Sequence, residues 1–200
     1  MSGAASGRTR RRGAELVDAI RAAAIEELIE VGFGRLTMEG IAKRAGTAKT
    51  SLYRRWASPR ELLIDAYYEQ FPQEEPSPAA DDLRGDLLRS LRLMVDWMRT
   101  PSARALGTIM FERERDPEFV AAMVSRVFDA RGGRFTKTVL RHYADHGVVD
   151  PARLTPVVVD IGEALVLKHS VDATALPGEE ELAAIVDEAI LPALGLPPSQ

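Results

Sequence analysis

The chain has 200 residues, of which 46% are hydrophobic, 28% charged and 6% aromatic, with a formal net charge of −4. Such an ordinary composition excludes a disordered tail, a collagen-like repeat and a coiled-coil rod. The lack of cysteine excludes disulfides, zinc fingers, iron–sulfur clusters and thiol nucleophiles. No apolar run approaches the ~18 residues that cross a bilayer, since even Val157–Leu167 carries Asp160 and Glu163. Arg8, Arg10, Arg11 and Arg12 lead into an acidic amphipathic segment rather than an apolar one, so the expectation is a cytoplasmic protein without a membrane partner.

The net charge hides an asymmetry. Residues 1–60 hold 12 Lys+Arg against 6 Asp+Glu, whereas the remaining 140 hold 14 against 24. A basic head on an acidic body points to a polyanion as the partner of the head.

Taken in chain order, the elements read as helices. Val17, Ile20, Ala24, Leu28 and Val31 recur at three- and four-residue steps and predict a helix from about Ala14 to Val31, with Gly32 and Gly34 as its stop. Thr37 supplies a hydroxyl to cap a short helix through Ala45, and Gly46 ends it. A third short helix covers about Ala48–Trp56. Ser58-Pro59-Arg60-Glu61 has the capping-box pattern with proline at the first helical position, and leads into Leu62, Leu63, Ala66 and Tyr67. Residues 71–80, with Pro72, Pro76 and Pro78, read as a linker. Helices follow at about 81–99, 102–114, 117–146, 151–169 and 178–194. The pair Gly132-Gly133 bends or splits the long middle helix, and the pattern leaves both open. No stretch alternates as a strand does, so the fold class is all-α.

Within this order, two short helices flank the Gly46 turn, the layout of a helix-turn-helix. Ile41, Ala45, Leu52 and Trp56 can form its small core against the first helix. The other face of the second short helix then carries Lys49, Thr50, Ser51, Tyr53, Arg54 and Arg55. Hydroxyl, aromatic and cationic side chains on one helix suit phosphates and base edges, and the major groove is wide enough to admit a helix. Arg8–Arg12 have two open roles, contact with DNA or a disordered solubilising arm.

Residues 14–70 resemble the TetR family of bacterial transcriptional regulators. The resemblance lies in the amphipathic first helix, Gly32-Phe33 before Leu36-Thr37, Ile41-Ala42, Ala45-Gly46, Leu52-Tyr53-Arg54-Arg55-Trp56, Ser58 and Leu62-Leu63. It implies an N-terminal three-helix helix-turn-helix DNA-binding domain and a C-terminal helical domain for ligand binding and dimerisation. The expected organisation is a basic flexible arm (1–13), the DNA-binding domain (14–57), a connecting helix (58–70), the linker (71–80) and the helical domain (81–200). The implied function is a regulator, and a repressor in particular, released from its operator by a small apolar or aromatic ligand. Where the family often caps the recognition helix with serine this chain has Ala48, so Thr47 is the expected substitute. Where a lysine is frequent in the family this chain has Pro59, and Arg60 takes the expected phosphate contact. Thr37 completes the candidate DNA-binding set.

In the body, Met94, Trp97, Met98, Met110, Phe111, Phe119, Met123 and Phe128 gather soft and aromatic side chains that line adaptable pockets. Each taken singly reads more readily as core than as pocket; the resemblance makes the group the candidate ligand pocket. The two last helices carry Val157, Val158, Ile161 and Leu165, then Leu182, Ile185, Val186, Ala189 and Ile190. Arcs this broad can serve both the subunit's own core and a partner, so Val158, Ile161, Leu165, Leu182, Ile185, Val186 and Ala189 are the candidate dimer interface. A homodimer would present two recognition helices about one DNA turn apart, ~34 Å, to a palindromic operator. His142 and His146, four apart, can approach one metal, but two ligands do not make a site, and His169 suits a helix C-terminus. No metal or cofactor is expected. No nucleophile, base and carboxylate stand in a catalytic pattern, and Asp81-Asp82 and Glu179–Glu181 sit at helix starts, so no enzyme is expected.

Overall fold

Apolar residues at helical spacing carry α1 (Ala5–Val31) through seven turns, and Ile20, Ala24 and Leu28 on that face are buried. The computed structural model describes residues 5–111, 116–130 and 134–197. The side chains of Arg8, Arg10, Arg11 and Arg12 lie outside the described residues, and α1 begins inside the stretch read as an arm. After a one-turn 3-10 helix (Phe33–Arg35) come α2 (Met38–Arg44), α3 (Lys49–Tyr53) and α4 (Pro59–Gln70). Then follow α5 (Leu83–Met98), α6 (Pro101–Phe111) and α7 (Pro117–Met123), the last continued by a π-helical stretch, Val124–Phe128. The chain ends with α8 (Thr136–Asp145), α9 (Pro156–Asp172), α10 (Glu179–Ala184), a second π-helical stretch (Ile185–Ile190) and α11 (Leu191–Ala193). Every regular element among the described residues is helical. The long middle helix expected over 117–146 is two helices, for regular structure stops at Phe128 and resumes at Thr136.

Two compact units divide the chain. The first joins residues 1–71 with 101–127, so α6 and α7 pack with the N-terminal helices. Its core holds Ile20, Leu28, Ile41, Leu52, Leu62, Leu63 and Tyr67, each less than about a tenth exposed. The Tyr67 hydroxyl, carried into this core by α4, donates to the Ser102 carbonyl at 3.0 Å. That bond satisfies the polar tip of an otherwise buried ring.

The second unit comprises residues 72–100 and 128–200. Leu87, Leu91, Val139, Leu140, Val166, Val186 and Ile190 form its core. Gly162 allows α9 to approach closely, since a Cβ there would lie 2.8 Å from Thr136 Cγ2 and 2.9 Å from Ile190 Cδ1. The Thr136 hydroxyl donates to the Val159 carbonyl at 3.1 Å across the same contact. A buried polar cluster fixes the start of α5: Tyr143 donates to Asp86 at 2.7 Å and accepts from the Asp82 amide at 3.0 Å. Both carboxylate oxygens of Asp187 take the Arg84 guanidinium, at 2.8 and 2.7 Å.

Candidate nucleic-acid interface

The site is built from its ends inward. The Thr37 hydroxyl accepts from the Gly40 amide at 3.0 Å and starts α2, as its position before Met38 predicts. Gly46 closes α2 in the left-handed region, at φ +62°. The Thr47 amide returns to the Ala42 carbonyl at 3.0 Å and the Gly46 amide to Lys43 at 3.2 Å, a Schellman ending. The expectation that Thr47 caps α3 is overturned: the extended cap position before Lys49 is Ala48, which has no side-chain acceptor, and no side chain caps the helix.

Leu52 is wholly buried and Trp56 nearly so, which fixes the inner face of α3. The Trp56 indole donates to Asp65 at 2.9 Å, and Arg21 of α1 grips the same carboxylate with bonds of 3.0 and 3.2 Å. One α4 carboxylate therefore ties α1 to the end of the recognition segment. On the opposite face Lys49, Thr50, Tyr53, Arg54 and Arg55 are exposed and Ser51 is half-buried, with Tyr53 52% exposed. Lys49 pairs with Glu39 at 3.2 Å and its ammonium lies 5.8 Å from the Tyr53 ring centre. Arg54 and Arg55 make no ion pair within the described residues; both are available to an outside anion.

Other cations of the basic head are already neutralised. Arg44 is held by Glu27 at 2.8 Å and by a close contact with Glu30, which raise its pKa. Arg60 pairs with Asp116 through Nε at 2.6 Å and lies over the Phe33 ring at 5.4 Å, although its side chain stays 60% exposed. The capping box at Ser58 forms only its first half. The Glu61 amide donates to Ser58 at 3.2 Å, but the Glu61 carboxylate takes both arms of Arg126, at 2.9 Å each. That hydrogen-bonded pairing holds the Glu61 pKa down.

The eight candidate pocket residues do not fall in one unit. Phe119 and Met123 are buried and Met110 half-buried in the first, where Phe119 meets Phe33 at 4.7 Å between ring centres. Met94 is buried and Trp97, Met98 and Phe128 half-buried in the second. The Phe111 side chain lies outside the described residues. Of the candidate interface residues, Leu182 and Val186 serve the core of the second unit. Val158, Ile161, Leu165, Ile185 and Ala189 are half-exposed. The most open apolar residues of α9 are Val157 and Val171, at 74% and 71%, and Val171 escaped the sequence reading because α9 runs three residues past the expected end at 169. His142 Nε2 donates to the Ser77 carbonyl at 2.8 Å, and His146 Nδ1 to the His142 carbonyl at 2.8 Å.

Comparison with known proteins agrees with this architecture. Residues 20–66 match the family described as bacterial regulatory proteins, tetR family, and residues 77–189 match the tetracyclin repressor-like C-terminal domain. An HTH-type transcriptional regulator of Mycobacterium tuberculosis is 28% identical over 167 residues, 84% of this chain and 82% of its own. The DNA-binding transcriptional repressor TetR of Mycobacteroides abscessus is 28% identical over 140 residues, 68% of this chain and 64% of its own. Among solved structures, a TetR family transcription regulator superposes with a TM-score of 0.66 at 26% identity, over 88% of this chain and 97% of that one. A second such regulator, from Mesorhizobium loti, shares the fold at a TM-score of 0.61 and 18% identity, over 92% and 97% of the two chains.

Proposed function

The chain belongs to the TetR family of bacterial regulatory proteins, and from that premise we propose that it is a repressor. In this reading it holds a palindromic operator as a homodimer and leaves it when a small apolar or aromatic molecule binds. The family is one of transcriptional regulators that bind DNA through a helix-turn-helix, and not one of enzymes. Among the described residues, no helix is long and apolar enough to cross a membrane.

The observation that carries the reading is the split of α3 into two faces. Leu52, and Trp56 just beyond the helix, hold it to the protein, while Thr50 and Tyr53, with Arg54 and Arg55 after its end, face outward. Such a helix can enter the major groove and offer donors to guanine and phosphate oxygens. Repression is favoured by the Mycobacteroides abscessus relative, itself a DNA-binding transcriptional repressor. Pairing is favoured by α9, whose turns expose Val157, Ala164 and Val171, with Ile161 half-exposed, on the side opposite its buried Val159, Gly162 and Val166. Apolar surface left in water is stabilised by a matching apolar surface, and a two-fold partner repeats the surface that needs covering.

The test is to sequence the genomic fragments that the purified protein retains, and to footprint it on them. The expected footprint has two half-sites related by a dyad and about one helical turn apart. Retention of no fragment in preference to bulk DNA would overturn the reading.

A further inference from the structure

A hydrogen bond, unlike apolar burial, fixes direction as well as distance. In the first unit a chain of such bonds runs from α1 to the end of the recognition segment. Asp65 on α4 accepts from the Trp56 indole at 2.9 Å and from Arg21 at 3.0 and 3.2 Å. Arg21 is steadied in turn by Asp18 at 3.3 Å and Glu69 at 3.5 Å, and its side chain is only 19% exposed. Burial of this kind strengthens each bond, because less water competes for the polar atoms. The Trp56 amide returns to the Leu52 carbonyl at 3.0 Å and the Arg55 amide to the same carbonyl at 2.9 Å. The turn that carries Arg54 and Arg55 is therefore closed on Trp56. Beside it, Gly13, Ala14, Val17, Asp18, Arg21 and Arg55 line an open groove of about 410 Å³. Side chains do not fill the space between α1 and Arg55, so the bonded chain through Asp65 spans that side of the segment.

We propose that Asp65 is a positioning residue of the DNA contact, and that it sets sequence preference rather than attachment to DNA. Contacts to phosphate carry no sequence information directly, whereas reading a base edge requires donors held to within about half an ångström. Asp65 touches no DNA in this account. It orients the Trp56 ring, and through Trp56 it acts on Arg54 and Arg55. Burial of Leu52 holds α3 down without a direction of its own; the indole bond supplies one. Arg21 makes the acceptor rigid, since a guanidinium fork fits both oxygens of a carboxylate. This role rests on the DNA-binding reading above, whereas the bonded chain does not.

The chain has two tryptophans, Trp56 and Trp97, so its indole N–H protons give two resonances, and Trp56→Phe assigns them by the loss of one. Asp65→Ala should shift the Trp56 resonance and speed its exchange with solvent, with the thermal transition of the folded protein retained. On a genomic fragment that the wild type retains, Asp65→Ala should lower the ratio of fragment affinity to bulk-DNA affinity about tenfold, the scale of one lost base contact. The salt slope of bulk-DNA binding should stay, because Lys49, Arg54 and Arg55 remain. Trp56→Phe, which keeps the buried ring and removes only the donor, should give the same loss, and the double variant no more than either single one. If Asp65→Ala fails to fold, Trp56→Phe carries the ratio measurement alone. Fragment and bulk affinities that fall together, a ratio unchanged in Trp56→Phe, or losses that add in the double variant would each overturn the role. A wild type that prefers no fragment overturns the DNA reading and the role with it, while the indole resonance still decides whether Asp65 holds Trp56.

Discussion

The outer faces of α3 and α9 are both left uncovered by their own units, and they differ in chemistry: one is cationic, while the other mixes apolar residues with charges of both signs. On α3 the open residues are Lys49, Thr50 and Tyr53, followed directly by Arg54 and Arg55; on α9 the open apolar residues are Val157, Ala164, Leu167 and Val171, with Ile161 half-exposed, among exposed Asp160, Lys168 and Asp172. A cationic face gains little from a protein surface, where desolvation offsets pairing, but it gains from a phosphate backbone by releasing counterions. An apolar face gains nothing from phosphates and is stabilised by any matching apolar surface. One chain thus displays two unmet needs, and their difference separates the reading of α3 as the DNA contact from the reading of α9 as the contact between copies.

The largest expected effect lies under α3. Trp56→Ala removes a nearly buried indole and its bond to Asp65, and should cost about 3–5 kcal/mol in a urea titration. The loss should fall on the first unit, sparing the second. Trp56→Ala with an unshifted midpoint would mean that α3 is not anchored by this residue. Next comes the outer face of α9. Ile161→Asp should raise the dimer dissociation constant about a hundredfold, ~2.8 kcal/mol, in sedimentation equilibrium, while leaving the helical circular dichroism in place. A wild-type chain that sediments as a monomer at micromolar concentration would break the comparison at once.

A smaller effect is expected inside the second unit, where α9 carries a buried acid. Burial raises the Glu163 carboxyl to about 8 against the opposing pull of Arg134, and Asp160 and Glu74 push in the same direction as burial. Its Oε1 is buried with no hydrogen-bond partner among the described residues. The folded protein therefore keeps this proton to about pH 8 while the unfolded chain releases it near the ordinary value of 4.5. Stability must fall as pH rises between those values and level off above the upper one. Glu163→Gln should remove that fall, raising the melting temperature by about 3–6 °C at pH 8 and leaving it unchanged below pH 4. A variant whose melting temperature tracks the wild type across that interval would place Glu163 in water.

What the sequence made legible was local. Thr37 before Met38, Gly46 after Ala45 and Ser58 before Pro59 each act within four residues, and each forms the cap or stop that its position predicts. The inner and outer faces of α3 were legible for the same reason, since Leu52 and Trp56 share a face by spacing alone. Thr47 was misread because the cap position of α3 falls one residue later, at Ala48, which has no side-chain acceptor. The pairings that tune the site were not legible. Arg44 with Glu27 and Glu30, Arg21 with Asp65, and Arg60 with Asp116 join residues 14 to 56 positions apart, and no spacing rule connects such partners. The basic head, read as a whole, therefore overstates what is free: only some of its cations face outward unpaired.

The central claim is that the open face of α3 is the DNA contact, and its most direct measurement is the salt dependence of binding to a retained fragment. The wild type should show affinity that falls linearly with the logarithm of salt concentration. Arg54→Ala and Arg55→Ala should each weaken binding and flatten that slope by about one phosphate contact, while Arg44→Ala, whose charge is already matched by Glu27 and Glu30, should leave the slope unchanged. Slopes unaltered by Arg54→Ala and Arg55→Ala, with the folded structure intact, would contradict the account.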